Sequence, residues 1–445
     1  MRPFRHSALL VLAALAGLQS ADAQSSVLSQ QTSARIAAIE PKVVAWRRDI
    51  HQHPELGNRE TRTAKLVADH LRSLGIEVQT GVAHTGVVGV LRGGRPGPVV
   101  LLRADMDGLP VTERVNIPFA SKVRTTYNGQ DVGVMHACGH DTHVAILMGT
   151  AEVLAAMKNE LPGTVKFIFQ PAEEGAPVGE EGGAELMVKE GVLDNPRVDV
   201  GFALHIDATR EVSNIYYVPG GTWASADDFR MVVTGKQTHG AAPWNGIDPI
   251  VTSAHIITAL QTVVSRNMEL TQNPAIVTVG QIRGGVRSNI IPEEVEMLGT
   301  VRALHPSDRE RLHAAFRRIA SNVAESMGAQ IEIQLPYTTA YPVTFNNEAL
   351  TQAMLPALFA AAGRDKVHLA KPETGAEDFS FIADKVPGFY ISLGGRPSSV
   401  PAGQAADHHT PDFYVDDSGL DVGVRAMTAM ALHYMRTFPR GGPAR

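Results

Sequence analysis

Five short, β-branched apolar runs separated by helical stretches restrict this sequence more than any other feature. They are Val87 to Leu91, Val99 to Leu102, Val165 to Phe169, Val198 to Leu204 and Phe389 to Leu393. Strands that read as continuous apolar runs are buried on both faces, so the pattern predicts an α/β fold with a mainly parallel sheet covered by helices. Three runs stop directly in polar residues: Arg103-Ala-Asp105-Met-Asp107, Gln170-Pro-Ala-Glu173-Glu174 and His205. Open α/β sheets bind ligands beyond the carboxyl ends of their strands, so several acids and imidazoles are aimed at one crevice.

The order changes between about Gly221 and Tyr337. Strand (Phe229 to Thr234), helix (Pro249 to Arg266), strand (Ile276 to Ile282), strand (Glu294 to Ala303), helix (Ser307 to Met327) and strand (Gln330 to Leu335) form a β-α-β-β-α-β series, the ferredoxin-like arrangement. The first pattern then resumes with a helix from Asn347 to Ala362, the strand at Phe389 and a last helix from about Ser418 to Arg436. The expectation is a discontinuous main domain, 24–220 and 338–445, carrying an inserted α+β domain over 221–337. At 445 residues the chain exceeds what one core usually serves. Gly93 to Pro98 reads as a turn between strands.

Residues 1–23 read as a cleavable signal peptide. Arg2 and Arg5 are followed by an apolar Ala8 to Leu18 and a small-x-small site at Ala21-Asp22-Ala23, placing the mature start near Gln24. The apolar run is well short of the roughly 20 residues that span a bilayer, so export to the periplasm or beyond is expected rather than anchoring. A formal charge of −6 with mixed signs offers no basic face for nucleic acid and no polybasic patch for lipid, which leaves small-molecule chemistry. An exported protein can hold disulfides, yet Cys138 is the only cysteine, so no internal bridge forms and the thiol needs another explanation.

Met135-His-Ala-Cys138-Gly-His140-Asp141-Thr-His143 supplies it. A thiol and an imidazole two residues apart can be aimed by an extended loop at one ion, which makes Cys138 and His140 ligand candidates. The alternative, a buried free cysteine beside a surface histidine, is weakened by the density of His and Asp around it. If the chain stays extended after its strand, Glu173 and Glu174 leave on opposite sides, so that one binds metal and the other faces substrate. Hydrolysis needs that division: a metal lowers the pKa of bound water to about 7, and a free carboxylate takes its proton. His205 is open to two readings, ligand or core histidine, and one of the His408-His409 pair could complete the set. Asp105 and Asp107 either orient ligating imidazoles or cap the following turn. In the inserted domain, the stretches ending at His239-Gly-Ala-Ala-Pro243 and Ser288-Asn289-Ile-Ile-Pro292 are polar turns from spacing alone.

The ordered blocks LLRADMDGLP, HACGHDTH, FQPAEEG, ALH, GKQTHGAAP, SNIIP, GAEDFS and HHTP resemble the metallopeptidase family of aminoacylases, hippurate hydrolases and indole-acetyl-amino-acid hydrolases. The likeness runs from about Ala45 to the last helix. It implies two divalent ions per subunit, zinc or manganese with nickel or cobalt also compatible, held by Cys138, His140, Glu174, His205 and His409. It further implies Glu173 as general base, His239 and Asn289 at the substrate or oxyanion, and a homodimer formed through the inserted lid. His409 is preferred to His408 because the family places a His two residues before Pro. Glu377 either lines the pocket or is structural, and Arg287 either pairs with a substrate carboxylate or is simply exposed. Gln237-Thr238 replaces two glycines usual in the lid loop, and Trp244 is unusual there, departures that bear on substrate rather than mechanism.

The function implied is exported, metal-dependent hydrolysis of N-acyl or N-aroyl amino acids to a carboxylic acid and a free amino acid. The rivals are a periplasmic dipeptidase or carboxypeptidase with the same site, and a non-catalytic peptide- or metal-binding protein.

Overall fold

The computed structural model describes residues 27–271 and 274–438. The signal-peptide stretch lies outside them. The chain divides into two compact units: one of described residues up to Tyr217 with Asn347–Ala370 and from Lys385 onward, the other of Val218–Asn346 with Lys371–Asp384. The small unit thus starts slightly before the 221 expected from sequence, ends at Asn346 rather than 337, and also takes in Lys371–Asp384. Backbone pairing explains the last point: Ala224 N–H donates to the carbonyls of Glu373 (3.2 Å) and Gly375 (2.8 Å), and Glu373 N–H donates to Thr222 (2.9 Å).

In the large unit the strand order is Glu77–Val82, Gly86–Arg92, Pro162–Gln170, Arg95–Asp105, Val200–Glu211, Gly388–Arg396. The last four are mutually parallel, whereas Gly86–Arg92 joins antiparallel. Val100, Leu101 and Leu102, with Val165, Phe167, Ile168 and Phe169, are wholly buried, which is why these strands read as unbroken apolar runs. The helix His140–Ala155 is buried along nearly its whole length, packed against Gln30–Gln52, Leu420–Thr437 and the two central strands. Gly149 permits this: a Cβ there would lie 2.7 Å from Val43 Cγ2. The expected Gly93–Pro98 turn is tighter, because the strand already begins at Arg95.

The small unit carries an antiparallel sheet in the order Ala275–Gly284, Glu294–Ala303, Ala226–Thr234, Gln330–Gln334, with helices Pro249–Asn267 and Pro306–Ser326. This is the ferredoxin-like order. Along Ala226–Thr234, buried Phe229, Met231 and Val233 alternate with half-buried Arg230, Val232 and Thr234, the period of a strand with one face on helices. Asp248 caps the first helix, accepting from Ile250 and Val251 N–H, and Pro249 occupies its first turn. No described helix is long and apolar enough to cross a membrane.

Candidate metal centre

The large unit gathers its acids and imidazoles where the strands Arg95–Asp105 and Pro162–Gln170 end. Asp105 is the last residue of its strand, and Asp107 follows two residues later. Past Gln170 the chain turns instead of staying extended: Ala172 has φ 51° and Gly175 φ 110°. As a result Glu173 and Glu174 do not diverge to opposite sides, as extension would require. Glu173 Oε2 and Glu174 Oε1 lie 3.8 and 4.0 Å from the same nitrogen, His140 Nε2. Nor does His205 end its strand. Val200–Glu211 continues past it, and His205 pairs in register with Ser392.

Cys138 and His140 flank Gly139, which caps the N-terminus of the buried helix at φ 94° and leaves no room for a side chain, since a Cβ would lie 2.3 Å from Ile206 Cγ2. Around Cys138 Sγ stand His205 Nε2 at 3.4 Å and His409 Nε2 at 3.3 Å, with Glu174 Oε1 3.0 Å from His409 Nε2. Ligand atoms roughly 2.0–2.3 Å from one tetrahedral ion are about 3.3–3.8 Å apart, so these separations suit a shared cation. His140 Nε2 is buried without a hydrogen-bond partner. A buried, unpartnered imidazole nitrogen facing carboxylates fits a metal ligand. Among the groupings that could each hold an ion are Cys138 with His140 and His205, Cys138 with Glu174 and His409, and His140 with Glu173 and Glu174.

Hydrogen bonds fix which nitrogen each imidazole offers. His205 Nδ1 donates to the Ile206 carbonyl (2.6 Å), leaving Nε2 free of its proton toward the cluster. His140 Nδ1 donates to Asp107 Oδ1 (3.1 Å), with the same consequence, and Asp107 Oδ2 accepts from Glu174 N–H (3.0 Å). His408 is different. Its Nε2 accepts from Ala208 N–H (3.1 Å), so its proton is on Nδ1, 3.6 Å from Cys138 Sγ, where it donates to sulfur. His409 holds the left-handed conformation, φ 61°, and is tied by its N–H to the Ala137 carbonyl (2.8 Å). A non-glycine residue in that region costs on the order of 1–3 kcal/mol and concentrates at functional sites.

The electrostatics describe a place short of positive charge. Burial, then Glu174 and Glu173, push the Cys138 thiol well above its usual range. Burial alone would depress His140, but Asp105 and Asp107 raise it to about 10. Both shifts mean that the surrounding carboxylates favour a proton on the thiol and on the imidazole, a role that bound cations would take over. His205 is held well below its usual value by burial and by His143 and His408, so it is a neutral donor.

Sequence reasoning passed over several supports. His143 was visible in its motif without an assigned part; its Nδ1 donates to Asp105 Oδ1 (2.5 Å), and its Nε2 accepts from Ile206 N–H (2.8 Å), fixing the backbone beside His205. Glu60, which nothing in its local sequence marks, is wholly buried and accepts from Ala172 N–H (2.8 Å), holding the turn before Glu173. Burial, with Asp107 nearby, pushes its carboxyl up to about 7. Behind the cluster, Arg47 Nε and His51 Nδ1 both donate to Asp141 Oδ2, at 2.9 and 2.8 Å.

The remaining predicted residues belong to the small unit. Thr238–His239 pairs with Ile290–Ile291, and Gly240 N–H donates to the Asn289 carbonyl (2.8 Å), so the loops bearing His239 and Asn289 adjoin within that unit. Arg287 is exposed and caps the same turn, its carbonyl accepting from Ile290 N–H (3.1 Å). Glu377 is buried, and its Oε1 accepts from Phe379 N–H (2.8 Å).

Residues 101–433, which contain this cluster, match the sequence profile of peptidase family M20/M25/M40. The chain belongs to that family. It is 40% identical over 400 residues to thermostable carboxypeptidase 2 of Saccharolobus solfataricus, covering 90% of this chain and 97% of that one. It is 37% identical over 404 residues to the N-acetylcysteine deacetylase of Bacillus subtilis, covering 90% and 98%. The crystal structure of the Bacillus subtilis YXEP protein, a dinuclear metal-binding peptidase of the M20 family, superposes with a TM-score of 0.75 at 34% identity over 90% of this chain and all of that one. This M20-family protein is accordingly a metal-dependent hydrolase of amide bonds in the aminoacylase and amidohydrolase branch, a family that acts on acyl-amino acids or peptides.

Proposed function

We propose that this protein is exported and hydrolyses N-acyl amino acids, releasing a carboxylic acid and a free amino acid. The carrying observation is the clustered set of Cys138, His140, Glu174, His205 and His409 beside Glu173. Those five side chains would hold two divalent ions; sulfur with imidazole and carboxylate suits zinc and also accepts manganese, nickel or cobalt. The ions supply Lewis acidity toward the amide carbonyl and make water acidic near neutral pH.

Glu173, on its turn between Ala172 and Gly175, takes the proton of the attacking water and passes it to the departing nitrogen. Asp107 holds His140 and the Glu174 backbone, and Asp105 holds His143, so their part is orientation. His239 and Asn289, whose loops adjoin, are assigned to the oxyanion or the substrate carboxylate, with Arg287 as a second carboxylate partner and Glu377 as a pocket residue. Assembly as a homodimer through the lid is part of the same reading. Deacetylase activity in the name of a 37% identical relative supports acyl-amino-acid hydrolysis, while the carboxypeptidase name of a 40% identical relative favours a second reading, removal of a carboxy-terminal residue from small peptides.

A mixed panel of N-acyl amino acids and dipeptides, read by mass spectrometry with metal-loaded and chelated protein, separates the two. Chelator-sensitive release from acyl-amino acids is expected; cleavage confined to dipeptides would move the assignment to a peptidase. Amino-terminal sequencing of protein recovered from the cell exterior or periplasm should begin near Gln24, and an intact Met1 there would refute cleavage of the leader.

A further inference from the structure

A cavity of about 300 Å³ opens beside the metal centre, entirely within the large unit. It is lined by Asp107 to Pro110, by Glu174, Gly175 and Pro177, by Leu56, Gly57 and Arg59, and by the hairpin segment Thr125 to Asn128. Glu174 is also a member of the candidate metal cluster, and Asp107, which accepts from Glu174 N–H (3.0 Å), lies directly behind it. The cavity therefore adjoins the cluster at Glu174.

We infer that this cavity receives the acyl group of the substrate, and that the hairpin Arg124–Tyr127 and Gln130–Gly133 sets how large that group can be. The inference rests on the acyl-amino-acid reading. The two ends of such a substrate differ in charge, since the amine portion carries a free carboxylate and the acyl portion is neutral. The lining selects between them. It contains two carboxylates, Asp107 and Glu174, and its one cationic side chain, Arg59, is already engaged by Glu180 through Nη2–Oε1 (2.5 Å) and Nη1–Oε2 (3.1 Å). A further carboxylate entering here would find the one cationic side chain of the lining already paired. A neutral acyl group meets Leu56, Leu109, Pro110, Tyr127 and Pro177 instead.

The volume adds a size class. About 300 Å³ lies at the lower end of the roughly 300–1,000 Å³ typical of small-molecule sites, far more than an acetyl group fills and enough for an aryl or medium-chain acyl group. The hairpin that closes one side is well defined, with Asn128 (φ 49°) and Gly129 (φ 76°) forming the tight turn that suits a two-residue connection. The side chains of Thr125 to Asn128 are exposed and stand outside the hydrophobic core, so they can be changed without disturbing the fold.

The experiment compares N-acetyl, N-benzoyl and N-octanoyl derivatives of a single amino acid, and the N-benzoyl derivatives of several amino acids, with wild-type, Thr126→Trp and Tyr127→Ala proteins. Filling the cavity with Thr126→Trp should lower kcat/KM for benzoyl and octanoyl substrates by ~10-fold or more relative to acetyl, the scale at which pockets discriminate size. Tyr127→Ala should shift preference the other way, toward octanoyl. Equal losses for all acyl groups, or changes that follow the amino acid instead of the acyl group, would overturn the assignment while leaving the amidohydrolase intact. Absence of wild-type turnover on every acyl-amino acid would overturn both readings together.

Discussion

Glu173 and Glu174 are adjacent in sequence and share a turn, yet their surroundings divide them. Both approach His140 Nε2, but Glu174 also lies against Cys138 and His409, 3.0 Å from His409 Nε2. Glu173→Gln should keep its bound metal and lose ~10²–10⁴-fold or more in kcat; near wild-type turnover in that variant would remove Glu173 from the reaction. His408 offers a finer distinction. Because its Nδ1 proton points at Cys138 Sγ, His408→Phe should loosen metal by about 10–100-fold in a competition titration, the range for groups that support ligands. Unchanged metal affinity would show that the contact to sulfur has no part in holding the site. Both histidines of the His408-His409 pair are thus accounted for by hydrogen bonds to distant segments, at Ala208 and Ala137, that no spacing rule contains.

Elements of the two units were legible to different degrees. The parallel strands announce themselves because burial on both faces removes polar alternation, and the β-α-β-β-α-β series of the small unit follows from alternation and helix caps. Strand ends were less accessible. Val200–Glu211 extends past His205 because Gly388–Arg396 pairs along it, and the Glu173 turn forms because Glu60 accepts the Ala172 N–H. Within the small unit, the helix Pro306–Ser326 is tied to the sheet by Asp227, whose carboxylate takes a paired contact from Arg309 (2.8 and 2.6 Å) and lies 3.0 Å from His313 Nε2. Burial would raise the Asp227 carboxyl, but Arg309 and His313 bring it below its usual value. A depressed folded value gives stability that is present above the unfolded value near ~3.9 and lost as pH falls through the folded one. Asp227→Asn should therefore destabilise the small unit, toward the lower end of the ~3–5 kcal/mol typical of a broken buried pair because Arg309 is a quarter exposed. Denaturant melts of wild type and variant should converge below pH 4, and a constant difference down to pH 2 would contradict the pairing.

At the scale of the whole molecule, two separate hydrophobic cores imply two cooperative transitions instead of one. The thiol-imidazole-carboxylate cluster belongs to the large unit, and a ligand at 1,000 times its Kd adds ~4 kcal/mol to the state that binds it. Calorimetry with and without chelator should shift the large-unit transition downward and leave the other in place; equal shifts would mean that the ions do not belong to the large unit alone. What the sequence by itself determined is the set of chemical groups and the strand pattern that brings them to one end of a sheet, since residue type and periodicity are local properties. The tertiary structure alone decided which imidazole nitrogen faces the cluster, that Glu60 and His143 support it, that Lys371–Asp384 joins the small unit, and that a cavity opens beside Glu174. Each of these depends on a hydrogen bond or a void shared by residues far apart along the chain, and such partners exist only once the chain has folded.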